Sequence, residues 1–86
     1  MYEIEISEQL DKKFAKLAKK NKKQLDIIDK KVTQILENPF HFKPLRSEMK
    51  GIRRVHIDSS FVLTYEILET EKKIRLLDYD HHDSIY

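Results

Sequence analysis

The stretch GIRRVHIDSSFVLTYEILETEKKIRLLDY, residues 51–79, decides the fold. Its apolar and polar residues alternate with a period of two, which is typical of strands that bury one face. Polar residues interrupt this alternation at 58–60 and 70–71 and predict short turns there. The pattern therefore predicts three strands, at residues 52–57, 61–68 and 73–79.

Upstream of this stretch the apolar residues recur twice at the period of an amphipathic helix. Ser7 is placed to cap the first helix by accepting a backbone N–H. A polar turn at 21–23 separates the helices, and the second should end at Asn38, because Pro39 disfavours helical geometry in the residue before it. Residues 2–6 alternate again and predict an N-terminal strand. The apolar stripes are Leu10, Phe14, Leu17 and Ala18, then Leu25, Ile28, Val32, Ile35 and Leu36.

The order of these elements predicts an α+β fold, β-α-α-β-β-β with a short C-terminal tail, in one domain spanning residues 1–86. The helical hairpin should pack on one face of a small, mainly antiparallel sheet, because each amphipathic element must bury its apolar side. The other face is then left open to solvent or a ligand. A chain this short buries only about 60–65% of its unfolded surface. A binding partner would therefore add appreciably to its stability.

Composition narrows the class of protein. The chain has no cysteine, so it offers neither disulfides nor a thiolate for catalysis or zinc binding. Apolar runs fall short of the roughly 20 residues that span a bilayer. The beginning, MYEIEISEQL, lacks the apolar core of a signal peptide. A cytoplasmic protein that does not associate with membranes is expected.

Basic residues concentrate at 41–56, although the whole chain carries a formal charge of only +2. This block holds five basic residues against one acidic residue, and it also holds two histidines. Such a local excess predicts contact with phosphate groups, although a solvated loop is the plainer interpretation. The basic residues are Lys43, Arg46, Lys50, Arg53 and Arg54.

Arg54 and His56 lie two apart on one predicted strand, so their side chains should project to the same side. Arginine offers a planar fork of donors for phosphate oxygens, and histidine transfers protons near neutral pH. Together they suffice for metal-independent RNA cleavage, in which the 2′-OH attacks the adjacent phosphorus and cations stabilise the developing charge. No cofactor is required. The alternative interpretation is an ordinary polar strand face.

The tail Asp80-His81-His82-Asp83, followed by Tyr86, is the second candidate feature. A tyrosine can stack on a base or donate a proton, and a histidine can carry a proton. Asp and His are also metal ligands. A metal site is disfavoured here, because adjacent histidines point apart in an extended segment and the usual ligand spacing is missing. A polar terminus without any role is the third interpretation.

Two segments, PLRSEMKGIRRVHIDSSFVLTYEI (44–67) and IRLLDYDHHDSIY (74–86), resemble the RelE/ParE toxin superfamily and especially its YafQ-like branch. The similarity in element order covers essentially the whole chain. It implies a ribosome-dependent endoribonuclease that cuts messenger RNA in the decoding site. It also implies a co-expressed antitoxin, expected to be acidic and encoded next to the toxin, and operator DNA binding by the complex through the antitoxin.

The resemblance also implies roles for particular residues. In YafQ-like members, histidines match His56 and His82, and aromatic residues match Phe61 and Tyr86. In RelE a catalytic lysine matches Arg54. The implied catalytic set is Arg54, His56, His82 and Tyr86, and the implied RNA- or phosphate-binding set is Arg46, Lys50, Arg53, Phe61 and His81.

The chain departs from the family pattern at two positions. Val62 stands where RelE has an arginine, and Ser60 stands where YafQ-like members often have an acidic residue. The division of acid and base roles therefore stays open, with His81 as the alternative to His82. Two other functions also stay open, namely a ParE-like gyrase inhibitor without nuclease chemistry and a degenerate module that only binds antitoxin. The acid–base set of histidines and tyrosine favours the nuclease.

Overall fold

The computed structural model describes residues 2–45 and 51–85. The predicted order of elements and the α+β class are confirmed. The last strand runs two residues further than expected, and a single helical turn follows it. The elements are β1 (Glu3–Ile6), α1 (Glu8–Lys20), α2 (Lys22–Glu37), β2 (Ile52–Ile57), β3 (Phe61–Leu68), β4 (Lys73–His81) and α3 (His82–Ile85).

The four strands form one mixed sheet in the order β1-β4-β3-β2. The β2–β3 and β3–β4 pairs are antiparallel, whereas β1 pairs with β4 in parallel, with Glu3 opposite Lys73. The pairing of β3 with β4 shifts register between Thr64 and Tyr65. The mainly antiparallel sheet of the prediction is confirmed, and β2 is left as an edge strand.

The two long helices owe their ends to polar caps. The Ser7 hydroxyl accepts the Leu10 N–H at 3.1 Å, as predicted, and begins α1. Asn21 serves both helices, because its backbone N–H donates to the Leu17 carbonyl and its side chain accepts the Gln24 N–H. The connection is thus one residue long, and the lysines expected in the turn belong to α2.

The core lies between the helices and one face of the sheet, as predicted. Strand register places Val55 opposite Leu63, and Leu63 opposite Tyr79, so these three side chains share a face. They pack with buried residues of both helices, since the amphipathic elements bury their apolar sides together. The helical contribution is Leu10, Ile28 and Ile35.

The opposite face is less open than the sequence predicts. Val62 and Thr64 point to this face, yet they are 0% and 5% exposed. Both lie on β3, an interior strand. Val62 stands between His56 and Asp80, and Thr64 stands between Arg54 and Asp78. Helix α3 also packs against β3 and β4. Exposure on this face therefore increases toward the edge strand β2, where His56 is exposed.

Tyr65 joins the sheet to the segment after α2. Its hydroxyl donates to the Pro39 carbonyl at 2.7 Å, and burial raises the pKa of this tyrosine to about 12. We expect Tyr65→Phe to lower the free energy of unfolding by about 1–3 kcal/mol, because a buried carbonyl loses its donor. Urea denaturation measures this change. The control is Tyr2→Phe, because the Tyr2 hydroxyl donates to Glu69 at an exposed position. Its removal should change the free energy of unfolding by less than about 0.5 kcal/mol. Equal losses in the two variants would contradict this role.

Candidate active site

A groove of about 370 Å³ lies along the outer edge of β2. Arg54 and His56 reach it from the strand, and Lys31 reaches it from α2. The other lining residues are His41, Phe42, Lys43 and Val55. Arg54 stands opposite Thr64 and His56 stands opposite Val62, so their side chains share one side of the strand, as the sequence predicts.

The segment after α2 forms the wall of the groove because it pairs with the edge strand. The Arg54 N–H donates to the Lys43 carbonyl at 3.0 Å, and the Leu45 N–H donates to the Ile52 carbonyl at 2.8 Å. Pro44 stands opposite Arg53 in the same antiparallel bridge. The pairing covers backbone groups that an edge strand otherwise leaves exposed. It also fixes Lys43 beside Arg54.

Arg53 helps to hold this wall in place. Its guanidinium donates to the Phe42 carbonyl and lies 5.3 Å from the centre of the Phe40 ring. Its register position is opposite Tyr65, on the face away from that of Arg54. The structure thus gives Arg53 a contact within the protein, and its assignment to phosphate binding stays a prediction.

The groove is positively charged. Lys31, Lys43 and Arg54 line it together with two histidines, and no carboxylate of residues 2–45 or 51–85 is among its lining residues. The Lys31 ammonium lies 5.9 Å from the centre of the Phe42 ring, and the edge of the His41 ring meets that ring at 4.9 Å. Clefts lined by one sign of charge concentrate ligands of the opposite sign. The groove therefore suits a phosphodiester backbone.

Three polar residues of the groove were not assigned to a site from the sequence. Lys43 and His41 were counted within the basic block without a role, although their position in that block was the available signal. No pattern in the sequence marks Lys31 as a site residue, because only the packing of α2 against β2 brings it to the groove.

The tail residues lie beside the turn between β2 and β3. The His82 N–H donates to the Ser60 carbonyl at 2.9 Å and anchors the start of α3. Phe61 stacks on Tyr79 at 5.2 Å, and its ring meets the His81 ring at 5.7 Å. Burial raises the pKa of Tyr79, whose hydroxyl accepts the Gln24 amide N–H at 2.9 Å. Tyr79 therefore supports this aromatic cluster as a neutral residue.

His81 and His82 lie side by side, against the expectation that they point apart. Their rings stack at 4.8 Å with 25° between the planes. The Asp83 carboxylate lies 3.5 Å from Nδ1 of His81 and 3.1 Å from Nδ1 of His82. The expectation was wrong because β4 ends at His81 and α3 begins at His82, so the backbone changes direction between the two residues.

The groove and the tail are neighbours. His56 is opposite Val62, which is opposite Asp80, so two strand spacings, about 10 Å, separate His56 from the end of β4. Within residues 2–45 and 51–85, no hydrogen bond or ring contact joins His56 to either tail histidine. Three of the predicted site residues, Arg46, Lys50 and Tyr86, lie outside the described residues.

The molecule combines a mainly antiparallel sheet under a helical pair with a cationic groove at the edge strand. Residues 4–86 match the family model described as the ParE toxin of the type II toxin–antitoxin system, parDE. The chain therefore belongs to the ParE toxin family of type II toxin–antitoxin systems. No helix in the described part of the chain is long and apolar enough to cross a membrane.

One relative and two solved structures illustrate what the chain is similar to. A Methanocaldococcus jannaschii protein, provisionally named toxin RelE4, is 50% identical over all of this chain and 92% of its own length. The Escherichia coli DinJ–YafQ complex contains a chain with a TM-score of 0.75 and 26% identity, covering 100% of this chain and 99% of that one. A chain of the E. coli RelBE toxin–antitoxin complex shares the fold, with a TM-score of 0.80, 19% identity and coverage of 94% and 96%.

Proposed function

We propose that this toxin is a ribosome-dependent endoribonuclease that cleaves messenger RNA in the decoding site. The observation that carries the proposal is the shared position of Arg54 and His56 in a groove that Lys31 and Lys43 also line. An arginine fork, a proton carrier and further cations are the groups that phosphodiester cleavage needs. The reaction takes place in the cytoplasm, where ribosomes translate.

In the proposed reaction each of these groups has one role. His56 accepts the proton of a ribose 2′-OH, and the oxygen attacks the adjacent phosphorus. Arg54, aided by Lys43, stabilises the negative charge that develops on the phosphoryl oxygens. The bond to the 5′-oxygen then breaks, and a tail residue, His82 or Tyr86, gives the leaving oxygen a proton. The products are a 2′,3′-cyclic phosphate and a 5′-hydroxyl, and the step requires no metal.

The aromatic residues next to the tail are the proposed contact for an RNA base. Phe61 is partly buried, and it makes a T-shaped contact with the His81 ring. Stacking on aromatic side chains is how proteins hold unpaired RNA bases. Phe61 stands opposite Ile57, on the face away from that of Arg54 and His56, so a base stacked on it would lie around the end of the β2–β3 pair and outside the groove.

The test is cleavage mapping on translating ribosomes. The protein is added to a translation extract programmed with a defined message, and primer extension locates the new 5′ ends. Cuts at fixed positions within codons are expected, and the same message without ribosomes should stay intact. An intact message on ribosomes would overturn the proposal.

A gyrase inhibitor is the second candidate, because the matching family model describes ParE toxins. This function needs no proton-transfer residues. A plasmid supercoiling assay distinguishes the two, since a gyrase inhibitor blocks supercoiling and leaves messages intact. A protein without effect in either assay would be a degenerate member that only binds antitoxin.

A cognate antitoxin is the expected partner. The RelBE relative is a toxin–antitoxin complex, and the groove of this chain carries several cations. We expect an acidic protein encoded beside this one, with an apolar segment that covers toxin surface. Co-expression should give a complex that separates only in denaturant and that binds operator DNA through the antitoxin. Growth unaffected by the toxin alone, with no co-purified neighbour, would contradict this expectation.

A further inference from the structure

We propose that His81, His82 and Asp83 form a binding site for a divalent transition-metal ion, with Zn²⁺ as the best fit. The proposal extends to regulation, because His82 belongs to the proposed catalytic set. A bound ion would occupy its imidazole and inhibit cleavage. This second part rests on the proposed function, whereas metal binding does not.

The spacing of the ligand atoms carries the proposal. One nitrogen from each histidine and one carboxylate oxygen all lie within 4.8 Å of one another. Nδ1 of His81 lies 3.5 Å from Oδ2 of Asp83, and Nδ1 of His82 lies 3.1 Å from Oδ1 of the same carboxylate. Tetrahedral zinc, with bonds of about 2.0–2.2 Å, places its ligand atoms about 3.4 Å apart. Both histidine side chains are 43% exposed, so their rings have room for the remaining adjustment.

The electrostatics of the cluster favour a cation at its centre. Nδ1 of His81 accepts the Asp83 N–H at 3.3 Å, so its lone pair is directed toward this residue. The same nitrogen faces a carboxylate oxygen, which also carries lone pairs. A metal ion between the two atoms would satisfy both, and the hydrogen bond that it replaces is long.

The donor set selects the kind of metal. Two imidazoles and one carboxylate suit zinc and its neighbours in the first transition series. Mg²⁺ and Ca²⁺ prefer a shell of oxygens, which this cluster does not supply. Asp80 and Asp78, the nearest carboxylates on β4, contact the ammonium of Lys13 at 3.9 Å and 2.9 Å. Three protein ligands leave the fourth position of a tetrahedral site for water.

Calorimetric titration of tag-free toxin with zinc chloride tests binding directly. We expect one ion per chain for the wild type and for His56→Ala, the control, whose imidazole lies in the separate groove. His81→Ala and Asp83→Asn should each weaken the affinity for zinc by at least about tenfold, because losing even a residue that only supports a metal ligand usually has an effect of this size. Wild-type affinity in these two variants, or no saturable binding by the wild type, would overturn the proposal. A visible spectrum with Co²⁺ in place of zinc should report tetrahedral coordination.

Inhibition is measured with the wild type and Asp83→Asn. Because Asp83 contacts the imidazole of His82, the inhibition of each protein is expressed relative to its own rate without zinc. Zinc should inhibit the wild type over the concentration range in which it binds, and the variant should need about tenfold more zinc. A wild type that binds zinc but cleaves at full rate would overturn the regulatory part. If neither protein cleaves under any condition, the proposed function fails, while the titration still decides metal binding.

Discussion

An Arg54→Ala variant is expected to cleave messenger RNA about 10²–10³ times more slowly than the wild type. The guanidinium lies in the edge groove beside His56, where the proposed mechanism places the charge of the transition state. Removing one donor from such charge typically has an effect of this size. The rate should be measured in single turnovers on programmed ribosomes, so that substrate binding and product release do not obscure the chemical step.

Two further variants test whether the loss is specific to the position and the shape of the Arg54 side chain. Arg75→Ala is the matched control, because Arg75 lies on β4 and pairs with Glu5 at 2.9 Å and Glu66 at 3.4 Å, away from the groove. It should retain the wild-type rate. Arg54→Lys should recover part of the lost activity, since it restores the charge without the planar fork. Full toxicity of an Arg54→Ala/His56→Ala double variant at equal expression would rule out this site.

A chain that ends at Asp80 is expected to lose at least about 10² in cleavage rate, because it lacks the proposed proton donors of the tail. The buried core residues of β4, Ile74, Leu76 and Tyr79, all precede the cut. The four-residue pairing of β1 with β4 also ends before it, at Leu76. The truncated chain should therefore keep its fold and still bind antitoxin, which gives a readout independent of cleavage.

Single substitutions locate the effect within the tail. His82→Ala should reproduce much of the loss, whereas Ser84→Ala, an exposed position in the same helical turn, should have no effect. Circular dichroism of each variant checks that the fold is intact. If the truncated protein binds antitoxin and cuts messages at the wild-type rate, the tail does not belong to the site.

The strands and helices were predictable because their signals are local. The alternation of Val55 and Ile57 with Arg54 and His56 was enough to place two site residues on one side of β2. The Ser7 cap and the stop at Asn38 were equally visible, since caps and prolines act on neighbouring backbone groups. Local sequence therefore gave the framework of the site.

Features that depend on distant neighbours were not predictable. Val62 reads as an outward residue of an alternating strand, and its burial follows from lying between two other strands. Residues 43–45 read as loop, and their pairing with β2 depends on a partner strand later in the chain. The side-by-side arrangement of His81 and His82 required knowing where β4 ends. Sequence periodicity carries none of this information.

The parallel pairing of β1 with β4 bears on how the protein is synthesised. Glu5 and Arg75, which form an ion pair across these strands, are 70 positions apart in a chain of 86 residues. The first strand to emerge during translation thus waits for the last one before it has a neighbour in the sheet, and such distant pairings close slowly. A nascent chain therefore cannot complete this sheet until residues 73–76 have left the exit tunnel, and a stop codon before residue 73 leaves a fragment without the pairing of β1 with β4.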